Sequence, residues 1–185
     1  MKKRVTLTAG ILTVMSFSAL ASETFSLTSA DIPANHRLAQ QQVFAGFGCA
    51  GGNISPQLSW KNPPAGSKSF AITVYDPDAP TGSGWWHWTL VNIPVQTHRL
   101  DSDAGNANNS KLPAGAVQGR NDFGYAGFGG ACPPEGDKPH RYQFTVWALN
   151  TDKLPIDNQA SGALVGFMLN SHVIAKTQLI ATYGR

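Results

Sequence analysis

Ser69-Phe70-Ala71-Ile72-Thr73-Val74-Tyr75-Asp76-Pro77-Asp78 is the stretch on which the fold turns. Its first seven residues are mostly β-branched, aromatic or small, a composition that fits a pleated and well-buried strand. The strand must stop in Asp76-Pro77-Asp78-Ala79-Pro80-Thr81-Gly82-Ser83-Gly84, because proline cannot donate to a ladder and the glycines permit a reversal. Trp86-His87-Trp88-Thr89-Leu90-Val91-Asn92-Ile93 resumes the extended pattern, and Pro94 ends it. Strict alternation places His87 on one face with Thr89 and Val91, and Trp86, Trp88, Leu90 and Asn92 on the other.

Working outward, Phe25 to Ser29 reads as a first or edge strand. Ile54 to Gly66 reads as a short strand closed by the rigid Asn62-Pro63-Pro64-Ala65-Gly66 turn. Arg141 to Leu149 is a second strong strand, with Phe144, Val146 and Ala148 on one face, and Thr177 to Tyr183 is extended again. Helical spacing occurs in Ser161 to Asn170, where Leu164, Phe167, Met168 and Ser171 define the expected apolar face behind Asp157-Asn158 as caps. Asp101 to Lys111 is polar and reads as an exposed excursion. Gln118 to Gly136 is glycine-rich and aromatic, and so long an irregular stretch is expected to pack on itself or line a site. Nineteen glycines and twelve prolines favour many short elements over a helix bundle. The expectation is a mainly β protein with peripheral helices.

The chain opens Met1-Lys2-Lys3-Arg4, runs apolar from Val5 to Phe17 and reaches Ala19-Leu20-Ala21, the order of a secretory leader cleaved after Ala21. The apolar run is shorter than the roughly 20 residues a spanning helix wants. Residues 22–185 then form one domain, with no internal repeat or linker. Three of the fourteen Lys and Arg fall in residues 1–21, and none of the eleven Asp and Glu do. The remainder is therefore formally neutral, which removes the single-sign field of a nucleic-acid or anionic-membrane binder. Cys49 and Cys132, an even pair in an exported chain, point to one disulfide, with two inert buried thiols as the competing reading.

Candidate chemistry gathers at strand ends. Asp76 and Asp78 close one strand, His87 opens the next, and His140-Arg141-Tyr142 opens another. If these strands are neighbours, carboxylates and imidazoles meet at one sheet edge. Each residue also has a structural reading: Asp76 can make an Asx turn, Asp78 can pair with Arg141, and either histidine can be a satisfied polar residue.

Asp76-Pro77-Asp78-Ala79-Pro80, Trp86-His87-Trp88 with Val91-Asn92, and His140-Arg141-Tyr142 after Cys132-Pro133-Pro134 and Gly136 resemble the signature blocks of the phosphatidylethanolamine-binding protein family, also called Raf kinase inhibitor-like. With Ser55-Pro56 and Leu58-Ser59-Trp60 the resemblance spans the chain beyond the leader. The leader and paired cysteines are similar to the bacterial periplasmic, YbcL-like branch. The resemblance implies a large antiparallel sheet packed against a smaller one, with a small anion pocket at one sheet edge. It implies that Asp76, His87, His140 and Tyr142 bind the ligand, and that Gly130, Ala131 and Cys132 offer backbone amides. Asp78, Trp88, Pro133 and Arg141 would support them. No cofactor and no metal are implied.

Imidazolium, amide and hydroxyl donors suit a phosphate or a phosphorylated headgroup, and a carboxylate facing an imidazole would raise that ring's pKa. The sequence lacks a G-x-S-x-G elbow, a phosphate-binding G-x-x-x-x-G-K-[ST] loop and an H-E-x-x-H pair. Catalysis would be left with water activation by the His/Asp cluster, so a non-enzymatic binding protein is expected, without a nucleic-acid partner. The alternative is an extracytoplasmic protein-interaction module acting through residues 101–111 and 123–128.

Overall fold

The computed structural model describes residues 23–33 and 35–185, so the expected leader lies outside the described residues. The elements run β1 (Ser26–Thr28), a 3-10 turn (Gln40–Gln42), β2 (Ala45–Gly46), β3 (Cys49–Ala50), β4 (Leu58–Lys61), β5 (Ser69–Asp76) and β6 (Trp85–Pro94). There follow β7 (Arg99–Leu100), β8 (Val117–Gln118), β9 (His140–Leu149), α1 (Gly162–His172) and β10 (Val173–Tyr183). A five-stranded antiparallel sheet has the order β10-β9-β5-β6-β8, a smaller one the order β1-β4-β7, and β2 and β3 form a hairpin. The expected mainly β architecture with a large and a small sheet is observed, with α1 at its periphery.

The central strands form where expected because both of their faces are covered. Phe70, Ile72 and Val74 of β5, Trp88 and Leu90 of β6, and Tyr142, Phe144 and Val146 of β9 join Leu58 and Trp60 of the small sheet in the main core. Each such side chain, fully buried, contributes about 1.5–3 kcal/mol. On the opposite face Ala71, Val91, Trp147 and Leu149 pack with Val165 and Leu169 of α1.

Two expectations are corrected by packing. Strict alternation fails in β6, where Tyr75 pairs with Trp86 and Val74 with Trp88, leaving His87 as the extra residue of a β-bulge. His87 therefore turns toward Tyr142, on the main-core side occupied by Trp88, while Trp86 lies against α1. The face of α1 is also shifted: of the expected residues only Met168 packs, half-buried, against the core, and Ser171 is exposed. Leu164 and Phe167 are 48% and 69% exposed, and Gly162, Val165, Gly166 and Leu169 are buried. A Cβ built on Gly162 would lie 2.2 Å from the Trp86 indole, so a glycine face is what lets the helix approach the sheet. Its cap is Ser161, whose Oγ accepts from the Leu164 N–H at 3.2 Å, and not Asp157 or Asn158.

The extended segment expected at Thr177 begins earlier, at Val173, directly after α1. Part of this outer strand is strapped by the chain near His36, through Leu38 N–H to Thr182 O and Thr182 N–H to His36 O. Lys176, further along, lies over the Trp147 ring at 4.5 Å.

Candidate functional site

Antiparallel order places the end of β5 between the beginnings of β6 and β9. Asp76, His87 and His140 are therefore brought to one sheet edge, all buried, at the base of a cavity of about 190 Å³. Tyr142 adds its ring, T-shaped to His87 with centroids 5.1 Å apart.

The carboxylate of this cluster chooses one of the two imidazoles. Asp76 holds His140, not His87: its Oδ2 lies 2.8 Å from His140 Nδ1, and its Oδ1 accepts from the Asp78 N–H at 2.8 Å. His87 Nδ1 instead donates to the Gly129 carbonyl at 2.7 Å. Burial holds the His87 ring below its ordinary value, outweighing the opposing effects of the Gly129 carbonyl and the Asp76 charge. In this ring burial thus outweighs the rise that a nearby carboxylate brings. Among the described residues the buried Tyr142 hydroxyl has no hydrogen-bond partner, and burial followed by the Asp76 charge raises its pKa so that the O–H stays protonated. The Trp85 indole N–H, from a residue that also lines the cavity, is another buried donor without a partner among the described residues.

Asp78 and Arg141 form the expected supporting pair. Arg141 Nη2 donates to Oδ1 at 2.7 Å, while its Nε and backbone N–H donate to Oδ2 at 2.8 and 2.9 Å. The Arg141 hydrogen bond holds the Asp78 carboxyl down at about 2. Trp88 is buried beneath the site, its indole N–H donating to Gln118 Oε1 at 2.6 Å. Gln118 in turn donates to Asn106 O and Asn109 Oδ1, which ties down the 101–111 excursion.

The amide loop is only partly as expected. Gly130 N–H donates to Asn53 Oδ1 at 2.7 Å and Ala131 N–H to Gln42 O at 3.0 Å, so neither amide is free for an anion. A Cβ on Gly130 would fall 2.5 Å from the Gln42 carbonyl oxygen, which shows how closely this loop is laid on the 40–53 segment. Cys132 and Pro133 do line the cavity. Cys132 is bonded to Cys49, with a Cα–Cα distance of 6.0 Å, so the paired reading holds and the free-thiol one does not.

Sequence reasoning missed the apolar wall. Phe47 at the tip of the β2–β3 hairpin is 70% exposed, adopts a left-handed backbone (φ 53°) and borders the cavity with Trp85 and Phe123. Phe123 stacks on Phe44 at 4.0 Å and lies 5.7 Å from Phe47 and 5.5 Å from the His87 ring. The available signal was the disulfide itself, since a bond from Cys49 to the site loop must carry Phe47 with it. Within the 123–128 segment Phe123 lines the cavity and Gly127 and Phe128 are buried, while Gly124 is exposed and Tyr125 and Ala126 are half-buried. Residues 107–111 remain exposed, whereas Ala104 and Gly105 are buried.

Among the described residues, no group of three or more His, Cys, Asp or Glu side chains is arranged to hold a metal ion, and no helix is long and apolar enough to cross a membrane. The phosphatidylethanolamine-binding protein family model matches residues 28–184. The chain is 61% identical over 173 residues to the UPF0098 protein YbcL of Escherichia coli strain K12, covering 94% of each. It is 47% identical over 157 residues to the UPF0098 protein YbhB of the same organism, covering 85% of this chain and 98% of that one. The crystal structure of E. coli YbcL, described as a member of the mammalian PEBP family, superposes with a TM-score of 0.86 at 62% identity, covering 87% of this chain and 98% of that one. The chain belongs to the phosphatidylethanolamine-binding protein family and, with it, to binding proteins rather than enzymes.

Proposed function

We propose that the protein is an exported bacterial binding protein whose cavity takes a small anion, either phosphate or a phosphorylated headgroup, without turning it over. The observation that carries this reading is the convergence of His87 and His140, from separate strands, in a cavity whose Tyr142 and Trp85 donors have no partner among the described residues. Buried donors left unmatched cost roughly 1–3 kcal/mol each, a cost that a bound oxyanion would relieve. Export is supported by the leader-like Met1–Ala21 segment and by the disulfide, which suits an oxidising compartment.

Calorimetric titration with inorganic phosphate and with phosphoethanolamine tests this. Binding to the unmodified protein is expected, weakened roughly tenfold or more, as for the loss of a charge-assisted hydrogen bond, in each of His87→Ala and His140→Ala. Unchanged affinity in both variants would overturn the assignment of the cavity.

A further inference from the structure

The His87 imidazole holds its proton away from the ligand. A carbonyl oxygen can only accept, so the 2.7 Å contact with Gly129 O requires a hydrogen on His87 Nδ1. Nε2 of a neutral His87 is then a lone pair. His140 is engaged by carboxylates on both sides, its Nδ1 2.8 Å from Asp76 Oδ2 and its Nε2 3.5 Å from Asp137 Oδ2.

The charges around His87 reinforce this. Asp76 comes from β5, Asp122 from the loop after β8, His140 and Tyr142 from β9, and Asp137 from the segment before it. Among the described residues, no lysine or arginine lines the cavity. The nearby guanidiniums are committed elsewhere, Arg141 to Asp78 and Arg185 to the carbonyls of Pro133 and Gly48. A fully ionised oxyanion would meet the His87 lone pair and the Asp76 carboxylate in the cavity. A ligand oxygen bearing a proton would instead donate to Nε2 while its other oxygens accept from Tyr142 and Trp85.

Resting on the anion-pocket reading above, we infer that the cavity takes its ligand together with one proton, and so selects phosphate or a phosphomonoester against sulfate and phosphodiesters. The proton stays on the phosphate oxygen, which donates it to His87 Nε2. Burial of His87, which keeps the empty ring neutral, makes Nε2 the acceptor at neutral pH. A monoester can supply the proton because its second ionisation lies near pH 6, whereas a diester has no such group.

The test is calorimetry on the intact protein with phosphoethanolamine, inorganic phosphate, sulfate and dimethyl phosphate, in buffers of differing ionisation heat. The first two ligands should bind roughly tenfold or more tightly than the last two, a margin expected when a buried acceptor is left unmatched. Phosphoethanolamine affinity should fall by up to about tenfold per pH unit above neutrality as its proton is lost. His87→Gln, whose side-chain amide donates without a titrating proton, should narrow the phosphate–sulfate gap. Sulfate or dimethyl phosphate binding as tightly as phosphate, or a phosphoethanolamine affinity independent of pH, would overturn the inference and leave the anion pocket standing. Failure of all four ligands to bind would remove the pocket reading as well.

Discussion

At the residue scale, the ionisable groups of the site make the fold sensitive to acid in two stages. His87 is held below its ordinary value of 6.5 by burial, so as the pH falls through about 6.5 the unfolded chain takes up this proton before the folded one. The unfolded state then binds more protons, and stability declines. Asp78, held at about 2 against an ordinary 3.8 chiefly by Arg141, contributes stability that is present above 3.8 and lost as the pH falls toward about 2. Urea midpoints measured across this range should therefore drop first near neutrality and again in strong acid. His87→Gln should abolish the first decline and keep the second; a midpoint in the unmodified protein that stays level down to about pH 5 would contradict the neutral, buried state of His87. The identities of these residues were legible in the sequence because Asp76, His87 and His140 sit where strands begin or end. Their partners were not, because the pairing of Asp76 with His140 depends on β9 lying beside β5, and His87 is turned by a bulge that alternation does not encode.

Among the elements, α1 shows a packing rule that apolar spacing conceals. Its buried face is built from Gly162, Val165, Gly166 and Leu169, while larger apolar side chains at Leu164 and Phe167 face outward. Periodicity favoured the larger residues, but the Trp86 indole occupies the space a side chain would need. The two glycines should respond differently to the same change. In Gly162→Ala the new Cβ would fall 2.2 Å from Trp86, and overpacking of about 1–3 kcal/mol outweighs the helix-propensity gain of about 1 kcal/mol. In Gly166→Ala the nearest indole atoms are 3.4 and 3.5 Å away, so the propensity gain survives and the protein should be stabilised by roughly 0.5–1 kcal/mol. Thermal unfolding of the two variants distinguishes them by sign. Equal effects would mean that Trp86 does not set the closeness of the helix. The β2–β3 hairpin was illegible for another reason: strands of two residues carry no period to read.

For the whole molecule, the Cys49–Cys132 bond closes a loop of 83 residues' separation and joins the hairpin to the segment that walls the cavity. The chain-entropy account assigns a loop of this size about 4–5 kcal/mol. The double variant Cys49→Ser, Cys132→Ser should lose most of that, read as a lower urea midpoint, and adding reductant should lower the unmodified protein's midpoint toward the variant's. A reductant-insensitive midpoint would place the stability in the two sheets alone. The architecture was readable because β5, β6 and β9 are long, β-branched and punctuated by proline and glycine. The apolar wall was not, since Phe44, Phe47 and Phe123 meet only after the chain has folded over itself.

The outer margin of the large sheet has its own implication for crowding. The segment near His36 already occupies the ladder beside Thr182, and Lys176 stands on the stretch left open. A second molecule trying to lengthen the sheet along β10 would meet the Lys176 ammonium and have only a short run of ladder to gain. The occupied end of that margin is also the end nearest the cavity, since Tyr183, next to Thr182, pairs across the sheet with His140.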